Sequence, residues 1–300
     1  MAKTVRDTIK ELTRNHLESG SRCFGQCLTA VGWVGGTLPE MYEDEGMVEL
    51  SMADVAASGF LTGLALAGER PIYVVRYQGF QWYNATIIAN YAMKSKEIWK
   101  RPCPLLIRSI AMEGGIGPVA GSSHHSIYQR MPGVKIISPM TPGEYREAYD
   151  QFMNDDEVYY ISEHRKSYDN TRELANILHP KADITLFPIS ITRFAAEEAA
   201  ERLGEQGIKV NVIHQIWIKP FVFHSEWKEA LDRSRFGGIV LDDDYEEGVA
   251  SSIAHRIMMG SNSKVETMGL PPRTAGFHPG VDNLPPTVDE IINKVKDLIC

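Results

Sequence analysis

The chain has 300 residues, of which 43% are hydrophobic and 23% charged. That is the balance of a globular protein with room for one large domain or two of ordinary size. Its formal net charge of −8 argues against nucleic acid as a partner, because such binding needs a basic surface to neutralise phosphates, and no apolar run is long enough to span a bilayer. Cys23, Cys27, Cys103 and Cys300 form no second close pair and have no neighbouring histidine to complete a zinc site, so they read as reduced thiols. The opening residues lack the apolar core of a signal peptide, which places the expected protein in the cytoplasm, away from membranes.

In chain order, "MAKTVRDTIKELTRNHLESG" has the period of an amphipathic helix. "RPIYVVRYQ", "PCPLLIRSI", "GVKIISP" and "EVYYISE" read as buried strands, and "FQWYNATIIANYAMKSKEIWK" and "TPGEYREAYDQFMND" between them as helices. Thr141 and Pro142 supply a cap and a first turn for the second of these helices. The polar stretch from Arg165 to Lys181 interrupts the alternation and reads as a crossing between domains. Beyond it, "ADITLFPIS", "KVNVIHQIWI" and "FGGIVLDDD" are expected strands; "TRFAAEEAAERLGEQG", "GVASSIAHRIMMG" and "TVDEIINKVKDLIC" are expected helices. Strand–helix alternation of this kind predicts two α/β domains with largely parallel sheets. Their expected bounds are 1–165 and 182–300, with 166–181 as linker.

Four stretches have the composition of sites. In "ELSMADVAASGFLTGLALAGERP" a single acid, Asp54, precedes a helix of alanines and glycines. Glycine inside a helix costs about 0.5–1 kcal/mol relative to alanine. Close packing against another element accounts for that cost, and so does approach of a flat ligand. Asp54 either favours the helix N-terminus through its charge or is a carboxylate at a pocket edge that gives or takes a proton. "YQGFQWY" puts Phe80, Trp82 and Tyr83 at a strand end, as core or as a stacking wall for a planar ring. "GGIGPVAGSSHHS" is a glycine-rich loop ending in His124 and His125; it suits an anion-binding nest with two acid/base groups and lacks the spacing of a dinucleotide fingerprint. "LDDDYEEG" places three aspartates after a strand; a solvated turn is the expectation, and a magnesium site the alternative.

The order of these motifs resembles that of the beta subunit of the first component of 2-oxoacid dehydrogenases, and more broadly the C-terminal two-thirds of transketolase-type thiamine diphosphate enzymes. "MADVAASGFLTGLALAGERP" is similar to that family's acid, small-residue helix and "AGLRP"; "YVVRYQGFQWYNATIIANYAMK" continues the register, with Asn90 and Lys94 on its usual asparagine and lysine. "SHHS…MPGVKIISPMTPGE" resembles its histidine loop and following strand, and "GFHPGVDNLPPTVDEIINKVKDL" its C-terminal domain. The resemblance covers nearly the whole chain.

It implies a pyrimidine-binding transketolase-like domain followed by a smaller transketolase C-terminal-like domain. It also implies thiamine diphosphate as cofactor, with Asp54 in the place of the glutamate presented to the aminopyrimidine ring nitrogen. Phe80, with Tyr83 beside it, falls on the aromatic wall, and His124 and His125 on the histidines near the reacting carbon. The chain has no "GDG" and no "NN", the family's magnesium-binding signature. The resemblance therefore implies that Mg2+ and the diphosphate are held mainly by an alpha-type subunit in an α2β2 assembly, and that this chain itself ligates no metal. The implied reaction is decarboxylation of a 2-oxo acid with transfer to a lipoyl carrier. A split transketolase acting on a ketose, an acyloin-forming enzyme, and a non-catalytic partner subunit are the other readings. Three departures from the family bear on the choice: aspartate is about 1.5 Å shorter than glutamate, the loop from His125 to Pro132 is short, and Gln26 stands where the family has an acid.

Overall fold

In a computed structural model, which describes residues 2–113 and 116–299, the chain divides into two compact units. Residues 1–112 and 123–173 form the first; 113–122 and 174–300 form the second. Gly114 and Gly115 of the glycine-rich loop, and Cys300, lie outside the described residues.

The first unit opens with α1 (Val5–Glu18), whose Val5, Thr8, Ile9, Thr13, His16 and Leu17 form one buried stripe. Thr4 caps it: its Oγ1 accepts from the Asp7 amide at 3.0 Å, one half of a reciprocal capping box. Then follow β1 (Cys23–Gly25), β2 (Met47–Glu49), α2 (Asp54–Leu66), β3 (Ile72–Val75), α3 (Gln81–Ile87), α4 (Ser95–Trp99), β4 (Leu106–Ala111), β5 (Val134–Ile137), α5 (Pro142–Met153) and β6 (Val158–His164). The six strands run parallel in the order β2-β1-β3-β4-β6-β5. Every residue of β3, β4 and β6 is buried, as expected for a parallel sheet covered on both faces.

Two features of this unit differ from the sequence reading. The single helix expected over residues 80–100 is broken into α3, a π-helical turn at Ile88–Ala92, and α4. Between β1 and β2, residues Val31–Gly35 run in the left-handed region, with φ from 53° to 66°. For Val31, Trp33 and Val34 that conformation costs about 1–2 kcal/mol each. It is held in part by Arg6, whose Nη1 donates to the Gly35 carbonyl at 2.8 Å.

The second unit contains β7 (Ile184–Pro188), α6 (Thr192–Gly204), β8 (Val210–Val212), α7 (Ser225–Asp232), β9 (Gly238–Tyr245), α8 (Val249–Gly260), β10 (Val265–Leu270) and α9 (Val288–Ile299). Four of its strands form a parallel sheet in the order β10-β9-β7-β8. Leu186, Leu203, Val212, Leu241 and Ile291 lie in its core. The expected long strand "KVNVIHQIWI" is interrupted: β8 ends at Val212, Gln215 meets Ile189 only through an isolated bridge, and strand structure resumes at Trp217–Lys219.

The reading of Asp242–Asp244 as a solvated turn is corrected. All three lie within β9 and are at most 1% exposed. The carboxylates are tolerated because they take up local donors: Asp242 Oδ1 accepts from the Asp243 amide at 2.8 Å, Asp244 Oδ1 from the Tyr245 amide at 2.7 Å, and Asp243 Oδ2 from the Ser190 hydroxyl at 2.8 Å. Among the described residues, no helix is long and apolar enough to cross a membrane.

Candidate functional site

Within the first unit the chain steps from β1 to β2 on one side and then returns to β3 on the other. In open parallel sheets, ligands bind outside the carboxyl ends of the strands at such a reversal. Here those ends are followed by Gln26 and Cys27 after β1, Met52 and Asp54 after β2, and Arg76, Tyr77 and Phe80 after β3. These residues, with Tyr73, Val74 and Val75, line a cavity of about 260 Å3. Drug-sized ligands take roughly 300–1,000 Å3, so the space suits a single heteroaromatic ring.

The chemistry of the walls fits such a ring. Asp54 is the first residue of α2, where the helix N-terminus favours its negative charge. Its carboxylate is half-buried and lines the cavity alongside the half-buried ring of Phe80. Gln26 contributes a buried amide nitrogen, Nε2, with no hydrogen-bond partner among the described residues. An orphaned donor of that kind costs about 1–3 kcal/mol, a cost that a ligand acceptor would remove. Arg76 and Tyr77 continue into a narrow recess of about 20 Å3, also lined by Gly35, Met112, Arg165 and Tyr168.

Asp54 and Phe80 are thus brought together. Tyr83, His124 and His125 do not line this cavity. Tyr83 lies on α3 and is 58% exposed, beside Trp82 at 62%. The two histidines are buried in a polar network of the same unit. The His124 amide donates to Gln78 Oε1 at 2.6 Å, and Gln78 Nε2 donates to Ser162 Oγ at 2.8 Å. His125 Nδ1 lies 3.1 Å from that same Ser162 Oγ.

Sequence reasoning missed Tyr73, Gln78 and Asn84. Each is an ordinary buried residue by position, and only the folded contacts give it partners near the site.

A family model described as "Transketolase, pyrimidine binding domain" matches residues 29–171, and one described as "Transketolase, C-terminal domain" matches residues 173–289. The chain is built of two transketolase-type domains. Its curated relatives include the 2-oxoisovalerate dehydrogenase subunit beta of Bacillus subtilis, 27% identical over 278 residues, covering 83% of this chain and 82% of that one. The acetoin:2,6-dichlorophenolindophenol oxidoreductase subunit beta of Cupriavidus necator is 22% identical, with 85% and 81% covered. The pyruvate dehydrogenase E1 component subunit beta of Staphylococcus epidermidis is 23% identical, with 85% and 83% covered.

Among solved structures, a split-gene transketolase described as an inactive beta4 tetramer superposes with a TM-score of 0.71 at 15% identity, over 100% of this chain and 99% of that one. Transketolase from Campylobacter jejuni gives 0.77 at 16% identity, over 99% of this chain and 47% of its own. This chain therefore spans about half the length of that transketolase. Both likenesses establish the fold.

Proposed function

We propose that this chain is the beta-type subunit of a thiamine diphosphate-dependent enzyme acting on a 2-oxo acid, by decarboxylation and acyl or aldehyde transfer. The observation that carries this reading is the meeting of Asp54 and Phe80 in a ring-sized cavity at the strand reversal. It is supported by relatives named as beta subunits that are matched over more than four-fifths of this chain.

The cofactor supplies carbanion stabilisation. Asp54 would face the aminopyrimidine ring nitrogen and accept a hydrogen bond from it in the form where that nitrogen carries a proton, and Phe80 would pack on the ring face, with Tyr83 beside it. His124 and His125 serve the substrate.

The cavity has room for the pyrimidine end alone. An alpha-type subunit holds the diphosphate and Mg2+, in an α2β2 assembly in the cytoplasm, with a lipoyl carrier as acyl acceptor. The surface beside the site suits such a partner. Gly59 and Gly63 of α2 have open space where a side chain would point. Val55 and Phe60 of the same helix and Trp82 of α3 are 51%, 49% and 62% exposed, an apolar surface of the kind obligate interfaces cover.

One observation favours a second reading: a relative named for acetoin points to acyloin chemistry, next to carbon–carbon transfer of the split-transketolase kind. Co-expression with an alpha-type chain, followed by assay of CO2 release from pyruvate and branched 2-oxo acids, separates the two. The proposal expects turnover of a 2-oxo acid that is lost in Asp54→Ala. Turnover confined to acetoin or ketoses establishes the second reading, and a pair that binds thiamine diphosphate with no turnover of any of these makes the chain a non-catalytic partner.

A further inference from the structure

Behind the Asp54 carboxylate lies a short row of buried hydrogen-bonding groups. Asp54 Oδ1 accepts from Asn84 Nδ2 at 3.1 Å. The same amide nitrogen donates to the Phe80 carbonyl at 3.1 Å. On its other side, Asn84 Oδ1 accepts from the Tyr73 hydroxyl at 3.0 Å. Asn84 is 0% exposed and Tyr73 1%.

Chemistry fixes the direction of this row. The Asn84 NH2 group faces two acceptors, and a flipped amide would set its oxygen against both the carboxylate and the Phe80 carbonyl. The Tyr73 hydroxyl, with one proton to give, satisfies the amide oxygen that remains. Burial pushes the Tyr73 phenol well above its ordinary value, and the neighbouring Asp54 carboxylate raises it further, so the hydroxyl stays a donor. Asp54 Oδ2 has no hydrogen-bond partner among the described residues. One oxygen of Asp54 is therefore pinned from behind, and the other remains to accept from a ligand in the cavity.

We propose that Asn84 and Tyr73 are positioning residues that hold Asp54 ready for the aminopyrimidine of thiamine diphosphate. This rests on the proposed function above. A loose carboxylate would have to be ordered at the moment of binding, whereas the relay orders it in advance. Because Asn84 also holds the Phe80 carbonyl, one amide sets the acid and the ring wall relative to each other. A purely structural asparagine would support the fold around both without distinguishing which ligand atom meets Asp54.

The test is calorimetric binding to the assembled alpha–beta protein. Thiamine diphosphate is compared with an analogue carrying C–H in place of the ring nitrogen that meets Asp54. A charge-assisted hydrogen bond gives the wild type about a tenfold or greater preference for the natural cofactor. Asn84→Ala is expected to cut that preference severalfold while leaving analogue affinity within about twofold, and Tyr73→Phe to cut it by less. In an Asp54→Ala background, Asn84→Ala changes nothing further.

The proposal is overturned if Asn84→Ala keeps the full preference, weakens both ligands equally, or retains its effect without Asp54. If Asn84→Ala does not fold, Tyr73→Phe, which removes a single oxygen, decides the question by the same comparison. A wild-type assembly that binds neither ligand overturns the proposed function and this inference together. Binding with an unchanged preference in the variants overturns this inference alone.

Discussion

On the proposed function, Asp54 is the residue on which the chemistry turns. A positioned acid or base is worth about 100- to 10,000-fold in rate. Asp54→Ala in the assembled protein is therefore expected to slow exchange of the cofactor's thiazolium proton with solvent deuterium by at least 100-fold. Exchange at the wild-type rate, read by NMR after acid quench, would remove Asp54 from the mechanism.

Other buried charges in the same unit serve stability. Arg108 and Glu163, on adjacent strands β4 and β6, are both 0% exposed and joined through Nε–Oε1 at 2.6 Å. The second Glu163 oxygen accepts from Arg108 Nη2 at 3.1 Å and from the Tyr168 hydroxyl at 3.0 Å. Burial opposes the Arg108 charge, and Glu163 more than restores it, so the guanidinium stays ionised. Glu163→Gln strands that cation and is expected to cost about 3–5 kcal/mol in urea unfolding; a loss under about 1 kcal/mol would contradict the pairing.

His164, next in the chain, is pushed down to about 3 by burial. Its folded value lies below its unfolded one. The unfolded chain therefore takes up a proton as pH falls through about 6.5, while the folded chain does not until about 3. Stability drops across that window by about 1.4 kcal/mol per pH unit. Between pH 7 and pH 5 the wild type should lose about 2 kcal/mol more than His164→Asn; parallel losses in the two proteins would refute this.

At the scale of elements, α2 shows why a small-residue helix stands beside the site. Ala57, Ser58, Leu61, Thr62 and Ala65 face inward, while a side chain at Gly59 or Gly63 meets nothing within 4 Å. Gly63→Ala should then stabilise the isolated chain by about 0.5–1 kcal/mol. Gly63→Leu should leave the isolated chain folded and weaken its assembly with an alpha-type partner, as measured by sedimentation. Unimpaired assembly would mean that this face stays open in the complex.

The same helix shows how far sequence reading reaches. Its acid and its small residues were legible because composition alone set them apart. The strands around β3, β4 and β6 were legible because continuous burial makes continuous apolar runs. The three-residue strands β1 and β2 were not, since so short a run has no period to detect. Neither was the left-handed stretch at Val31–Gly35, where only Gly32 and Gly35 signal a special backbone. The aspartates of β9 misled because charge normally marks solvent, and only tertiary contacts disclose the donors that satisfy them.

For the whole molecule, the account holds that this polypeptide supplies one end of a coenzyme site. The domain order, the ring-sized cavity and the orphaned Gln26 donor all agree with that division of labour. The histidines were legible as a pair in the sequence, yet their burial beside Ser162 and Gln78 depends on residues 37 and 46 positions away in the chain, which no local pattern encodes. The most direct measurement is calorimetric titration of thiamine diphosphate with Mg2+ into the isolated chain and into its assembly with an alpha-type partner. The account predicts at least 100-fold tighter binding by the assembly, about 2.7 kcal/mol or more. Equally tight binding by the isolated chain would contradict it.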